Sequence, residues 1–201
     1  MKRLLLFTSL VLGLPACGDL LCSDSCGCNP PPKSSNYDIT GTTVVAIANA
    51  GGSVAVLGAA ESVSRGQFAL RLGLETRLVA AQEYRAGWGA AAYACSPVGP
   101  AFTERVTAIT VTSSNALDAQ HPAGSALNDV LSVYDLSGNG GTYSLLSDYV
   151  QQRAQQPELL LELRLANAAT ASTGPQQFTV VYQLSNGEQY TAQTVPLMLT
   201  Q

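Results

Sequence analysis

The chain has 201 residues and a formal net charge of −4, from 10 Lys and Arg against 14 Asp and Glu. Hydrophobic residues make up 46% and charged residues only 12%, which excludes a disordered, highly charged protein. The acidic balance and the lack of a basic motif argue against nucleic acid as a partner. A chain of this length can bury an ordinary apolar core in one large domain.

The N-terminus combines two basic residues with a short apolar stretch. Lys2 and Arg3 precede the apolar residues 4–14, which are too few to span a bilayer and are typical of a secretory signal. The stretch ends in Leu14-Pro15-Ala16-Cys17, which resembles the lipobox of bacterial lipoprotein precursors, although Pro15 stands where Ala or Ser is usual. The resemblance covers residues 1–17 only. It implies cleavage after Ala16, attachment of diacylglycerol to the Cys17 thiol and acylation of the new amino terminus.

This resemblance implies a location and a first partner. The expected protein is a membrane-anchored lipoprotein of the bacterial cell envelope, in the outer rather than the inner membrane if the cell is Gram-negative. Its partner there is membrane lipid, which it contacts through the acylated Cys17. The alternative is ordinary signal-peptidase cleavage after Gly18 without lipid, since Ala16 would then satisfy the preference for a small residue.

The residues that follow Cys17 predict a membrane tether. Pro30, Pro31 and Pro32 are consecutive, and proline-rich segments favour an extended spacer over a helix or a central strand. The expected organisation is a lipoprotein signal peptide over 1–16, a Cys- and Pro-rich tether over 17–35 and one folded domain over 36–201. Removing the signal also removes two basic residues, so the mature chain has 8 basic and 14 acidic residues, a net charge of −6.

Lipidation of Cys17 leaves four cysteines, namely Cys22, Cys26, Cys28 and Cys95. An even number in an exported chain favours disulfide bonds. A bond between Cys26 and Cys28 would be strained, so both remaining pairings join the tether to Cys95, and Cys28–Cys95 with Cys22–Cys26 is favoured. The alternative is a metal or redox site at Cys22, Cys26 and Cys28, although their spacing is not that of a structural zinc site.

The residues after 36 predict mainly β-strands. The clearest pattern covers 67–80, where apolar residues occupy even positions and charged residues odd ones. The segment 159–165 also alternates, which places Glu162 and Arg164 on an outward, solvated face. Asn186-Gly187 predicts a hairpin with a two-residue type I′ turn. The remaining predicted strands cover 42–48, 53–57, 104–112, 178–184 and 189–195, with a short helix over about 145–155 and a helical turn over 126–133.

These elements favour an all-β fold, a single antiparallel β-sandwich of immunoglobulin-like general shape with one or two short helices. A β-barrel is the alternative arrangement of the same strands. The 22 uncharged residues between Asp38 and Glu61 also permit a membrane-spanning interpretation. Asn49-Ala50-Gly51-Gly52 at their centre fits a turn between two core strands better.

Residues suited to catalysis or metal binding are scarce in the sequence. His121 is the only histidine and lies in a loop with Pro and Gly, where it is expected to be solvated, and no Gly-x-Ser-x-Gly motif accompanies it. Asp135, Asn139 and Asp148 surround a Gly-rich segment but lack EF-hand spacing and indicate a turn rather than a calcium site. We therefore expect no catalytic, cofactor-binding or metal-binding residues, no cofactor and no enzymatic activity.

One aromatic group remains as a candidate contact surface. Tyr84, Trp88 and Tyr93 flank a run of small residues that leads to Cys95. Exposed, they could bind a glycan or an envelope protein, whereas the favoured interpretation buries them beside a disulfide. The expected function is thus a non-catalytic binding or accessory module. The alternatives are a small secreted hydrolase that uses carboxylates, and thiol-based metal or redox handling by the tether cysteines.

Overall fold

A computed structural model describes residues 36–50, 52–80, 101–134, 144–153, 157–166 and 174–200. Within these residues, twelve strands and one helix follow one another along the chain. They are β1 (Asn36–Ala50), β2 (Ser53–Val56), β3 (Ser62–Ser64), β4 (Phe68–Ala80), β5 (Ala101–Phe102), β6 (Val106–Ser113), β7 (Leu131–Tyr134), β8 (Ser144–Leu145), α1 (Leu146–Arg153), β9 (Leu160–Leu165), β10 (Phe178–Leu184), β11 (Gln189–Gln193) and β12 (Met198–Thr200).

The larger sheet has the strand order β2-β1-β4-β9-β7-β8, and all of these neighbours pair antiparallel. β1 and β4 form its longest ladder, from Asn36 opposite Ala80 to Ala48 opposite Phe68. The alternation seen in the sequence accounts for the two faces of β4. Leu70 and Leu72 are buried in the core, while Arg71 lies on the outer face.

A second sheet has the order β11-β10-β6, and β12 pairs with β3 in parallel. The two larger sheets pack face to face, since the buried rings of Phe68 in β4 and Phe178 in β10 stack with centroids 5.1 Å apart. The Tyr190 hydroxyl of β11 donates a hydrogen bond of 2.9 Å to the Ile39 carbonyl of β1. The described strands form open antiparallel sheets, which confirms the predicted all-β sandwich.

The helical content is limited to α1 among the described residues. Leu146 and Tyr149 of α1 are buried against the core, and this helix is too short and too polar to cross a bilayer. The short helical turn predicted over 126–133 covers only part of that range, since the N–H groups of Val130 and Leu131 both donate to the Leu127 carbonyl at 3.1 Å. Ala126 makes a β-bridge to Thr112, a tight turn follows, and Leu131 begins strand β7 because β9 offers a pairing partner there.

The hairpin between β10 and β11 is confirmed, but its predicted turn type is wrong. Type I′ needs positive φ at both central residues, whereas Ala60 is the only non-glycine among the described residues with positive φ. Gly187 has φ of 90°, and its N–H donates to the Leu184 carbonyl at 3.0 Å. The connection is therefore a three-residue loop, Ser185-Asn186-Gly187, in which only Gly187 needs the left-handed conformation.

The end of β4 and the start of β5 both lie beside the first residue of β1. Asn36 pairs with Ala80 of β4 on one side and with Ala101 of β5 on the other. The residues at which segment 81–100 leaves and rejoins the described chain are therefore both neighbours of the first residue of β1. Segments 1–35 and 81–100 themselves lie outside the described residues.

Candidate functional site

Most of the site residues predicted from the sequence lie outside the described residues. This holds for Cys17, Cys22, Cys26, Cys28 and Cys95, for Tyr84, Trp88 and Tyr93, and for Asp135 and Asn139. The part of the chain that the structure does describe contains two clusters of buried charged side chains. One surrounds Glu162 and the other surrounds His121.

The Glu162 cluster lies on the outer face of the larger sheet. Strand register places Glu162 of β9 between Arg71 of β4 and Tyr134 of β7. Arg164, two residues further along β9, projects from the same face because side chains alternate along a strand. Antiparallel pairing of three strands thus brings together side chains that are far apart in the sequence.

The Glu162 carboxylate accepts hydrogen bonds at both oxygens. Oε1 accepts from Arg164 Nη2 at 2.6 Å, Arg164 Nε at 2.8 Å and Asn49 Nδ2 at 2.9 Å, and Oε2 accepts from Arg71 Nη2 at 3.1 Å. The Arg164 guanidinium also lies 4.2 Å from the centre of the Tyr134 ring, a cation–π contact. One carboxylate is therefore shared by two arginines.

These partners decide the protonation state of Glu162. Burial by itself would raise the pKa of Glu162, but hydrogen bonds from Arg164 and Arg71, the Arg164 charge and the Asn49 hydrogen bond lower it below its usual value. A general acid in glycoside hydrolysis needs a raised pKa instead. The arrangement therefore suits a structural ion pair better than the acid of a carboxylate hydrolase.

The prediction that Glu162 lies on a solvated face is wrong, since its side chain is only 2% exposed. The alternation in 159–165 identifies its face correctly. Burial results from the side chains of Arg71, Arg164 and Asn49 that contact it, two of which come from other strands. The pattern Glu162-x-Arg164 was the available sequence signal, because residues two apart share a strand face.

The His121 cluster lies in the loop between β6 and β7. His121 Nδ1 is 2.7 Å from Asp118 Oδ1, and Nε2 is 3.2 Å from Asp129 Oδ2. Asp118 Oδ1 also accepts the backbone N–H groups of Gln120 and His121 at 2.8 Å, which makes a tight Asx-type turn. His121 is only 6% exposed, so the prediction of a solvated loop histidine is wrong. The spacing Asp118-x-x-His121 was the local signal for this turn.

Both carboxylates favour the charged imidazolium. Burial alone would lower the pKa of His121, but the hydrogen bonds to Asp118 and Asp129 and their negative charges raise it above its ordinary value. For Asp118, burial acts to raise the pKa, and the hydrogen bonds from the His121 ring and from two backbone amides lower it overall. An imidazolium with a carboxylate at each nitrogen has no lone pair to accept a proton from a serine hydroxyl. The geometry therefore does not support a Ser-His-Asp hydrolase.

The described residues do not form a metal-binding cluster. They contain no group of three or more His, Cys, Asp or Glu side chains placed to hold a metal ion. Asp118 and Asp129 lie at opposite nitrogens of the His121 ring, so an ion at either nitrogen would meet only two of these groups, and zinc sites use at least three protein ligands. Asp148, the one described residue of the calcium alternative, is exposed in the first turn of α1.

A small recess lies beside α1. It is lined mainly by apolar side chains, including Ile109, Leu161 and Tyr182, and encloses a volume of only about 10 Å³. Ligand pockets are usually larger, roughly 300–1,000 Å³. Burial, with the nearby Tyr149 and Glu158, raises the pKa of the Tyr182 hydroxyl, which therefore stays neutral at physiological pH.

Comparison with known proteins gave no match. No family model, no curated protein and no solved structure matches this chain. Its function must therefore be argued from its own residues.

Proposed function

We propose that this protein is a lipid-anchored protein of the bacterial cell envelope whose β-sandwich is a non-catalytic binding or accessory module. The observation that carries the proposal is the lipobox, Leu14-Pro15-Ala16-Cys17, at the end of a short apolar signal. The two described charge clusters support the non-catalytic part. Glu162 is held in the charged form by partners within the chain, and both ring nitrogens of His121 contact carboxylates, so neither side chain is placed to exchange a proton with a substrate.

The Cys17→Ser variant tests the anchor. In a bacterial host, the wild-type protein should incorporate labelled fatty acid and partition into the detergent phase. The variant should lose the label and at least about 90% of its membrane association, because a protein without acyl chains has no comparable hydrophobic anchor. Intact-mass analysis should show a mature wild-type chain that begins at acylated Cys17.

Cys22→Ser is the matched control, since it removes a neighbouring thiol and leaves the lipobox intact. It should keep both the label and the membrane association. A wild-type chain that begins at Asp19 without lipid would refute the anchor and support ordinary signal-peptidase cleavage after Gly18.

We also propose that a disulfide bond joins the tether to Cys95. Register supports this, because Ala80 and Ala101, which flank the segment containing Cys95, are both neighbours of Asn36, where the tether meets β1. Cys28 is eight residues before Asn36, and Cys95 is six residues before Ala101. Eight residues reach at most about 28 Å, so each thiol can meet the other near the start of β1 without distorting the sheet.

Peptide mapping of the exported chain without reduction should recover Cys95 linked to Cys28, the favoured partner, or to Cys26. Cys95→Ser should lower the free energy of unfolding by about 2–4 kcal/mol, because the bond would close a long loop in the unfolded chain. The same substitution under reducing conditions is the control and should change stability little. Free alkylation of all four thiols in the unreduced chain would contradict the bond, and metal analysis would then test the thiol-site alternative.

The partner is proposed to be an envelope protein or a glycan, with Tyr84, Trp88 and Tyr93 as the candidate contact residues. Cross-linking in native membranes followed by mass spectrometry should identify a stoichiometric envelope protein if the chain is an accessory subunit. A glycan-binding screen of the purified full-length chain tests the other class. Hydrolysis of any envelope substrate by the chain would contradict the non-catalytic proposal.

A further inference from the structure

His121 is contacted at both ring nitrogens by carboxylates. Nδ1 lies 2.7 Å from Asp118, and Nε2 lies 3.2 and 3.3 Å from the two oxygens of Asp129. A carboxylate only accepts hydrogen bonds, so both nitrogens must donate and the ring must carry two protons. If the ring lost one proton, a nitrogen lone pair would face a carboxylate oxygen. The observed contacts therefore favour the protonated ring, in which both nitrogens donate.

These contacts link His121 to the last residue of a segment that covers a sheet edge. Residues 113–129, here called the edge segment, leave the end of β6 and return along its free side. Leu127 N–H donates to the Val111 carbonyl at 2.8 Å, and the Asn128 side chain bonds to the Val111 N–H and the Ile109 carbonyl at 3.2 and 2.6 Å. The edge segment thus occupies the edge of β6 opposite β10. Asp118 lies in its first half, and Asp129 is its last residue.

The charged groups around the ring come from three parts of the described chain. Asp118 is in the loop itself, Asp129 precedes β7, and Arg65 comes from the turn between β3 and β4. Arg65 is buried, and its Nη2 donates to the Leu117 carbonyl at 2.8 Å. Its charge also interacts favourably with Asp118, which partly offsets the effect of burial on its pKa. Asp118 is thus contacted or faced by two cationic side chains, while Asp129 is 70% exposed and faces His121.

We propose that His121 is a pH-sensitive latch that holds the edge segment against β6 while the ring is protonated and releases it on deprotonation. A neutral ring keeps one proton, which stays on Nδ1 because Asp118 is the shorter and more buried contact. Nε2 then becomes an acceptor that faces the Asp129 carboxylate. Asp129 then turns to water, and the contact between His121 and the end of the edge segment is lost. As a result, the edge of β6 opens.

The direction of the pH response follows from linkage. Because the folded chain raises the pKa of His121 above its unfolded value of about 6.5, the latch contributes fully to stability below that value. The contribution is lost as the pH rises through the folded pKa. The edge segment is therefore closed below about pH 6.5 and opens as the pH rises through the folded pKa of His121.

The test uses the full chain and the fact that it contains a single histidine, whose ring NMR signals need no assignment by mutation. The ring should be doubly protonated below about pH 6.5 and titrate with a midpoint above that value. Across this titration, amide exchange protection of Leu117, Gly124 and Leu127 should fall about tenfold or more, as expected for losing a charged hydrogen bond. Protection of Val180 in the β10–β11 hairpin, corrected for intrinsic exchange, should stay constant.

The Asp129→Asn variant distinguishes a pH-sensitive latch from a purely structural role of His121. It keeps the side-chain shape and removes the charge, so the His121 midpoint and the loss of protection should both move to lower pH. Asp148→Asn, the same change at an exposed position in α1, should move neither. Protection that stays constant through the ring titration, or a midpoint that Asp129→Asn leaves unchanged, would overturn the proposal. Both readouts come from folded protein, so the test does not depend on a histidine variant that folds.

Discussion

Replacing Phe178 with alanine is expected to lower the free energy of unfolding by about 3–5 kcal/mol, the usual cost of removing a fully buried ring. Phe178 lies in β10, is completely buried and stacks on Phe68 of β4, so it joins the two larger sheets. Its loss would leave a cavity between sheets whose strands are held by hydrogen bonds and cannot move together easily. Urea unfolding of the full chain, followed by circular dichroism, measures the change.

Two substitutions serve as controls for the Phe178→Ala result. Phe178→Leu keeps most of the volume and should cost less than about 1.5 kcal/mol. Val195→Ala removes apolar atoms at a position that is 43% exposed and should change stability by less than about 0.5 kcal/mol. If Phe178→Ala cost no more than Val195→Ala, the packing of the two sheets through this ring would be contradicted.

Glu162→Ala is expected to lower the free energy of unfolding by about 3 kcal/mol. The substitution removes the buried carboxylate that Arg71 and Arg164 share, so Glu162 no longer offsets the repulsion between the two guanidinium groups. The value lies at the low end for a broken buried pair, because the two arginine side chains are 30% and 33% exposed and water can solvate them. Urea unfolding of the full chain at pH 7 measures it.

The Arg77–Asp38 pair is the matched control for Glu162. Its N–O distance is also short, 2.7 Å, but the Arg77 side chain is 72% exposed, so Asp38→Ala should cost less than about 1 kcal/mol. The effect of Glu162→Ala should also depend on pH. Because the folded chain lowers the pKa of Glu162, its stabilisation is present above the unfolded value of about 4.3 and is lost as the pH falls through the folded pKa. Equal effects of the two alanine variants at pH 7 would show that burial of Glu162 does not matter.

Local sequence patterns were sufficient for the long strands. The period-two alternation over 67–80 predicted β4, and the segments around Asn186-Gly187 predicted β10 and β11, because alternation and turn residues act over a few positions. The strand predicted over 42–48 extends to Asn36–Ala50 because β4 pairs with it along almost its whole length. The short strands β3, β5, β7, β8 and β12 had no local signal. Each has two to four residues and is a strand only because a partner lies beside it.

The N-terminal predictions depend on the sequence alone. The proposed lipid anchor rests on the local motif Leu14-Pro15-Ala16-Cys17, so it can be proposed without the fold. The two charge clusters, in contrast, depend on the tertiary structure. Alternation placed Glu162 on the outer face, but its burial depends on Arg71 and Asn49, which are 91 and 113 residues away. Likewise, the sequence showed one loop histidine, and only the folded chain determined that Asp129 lies opposite Asp118 across its ring, because the return of the edge segment along β6 sets that distance.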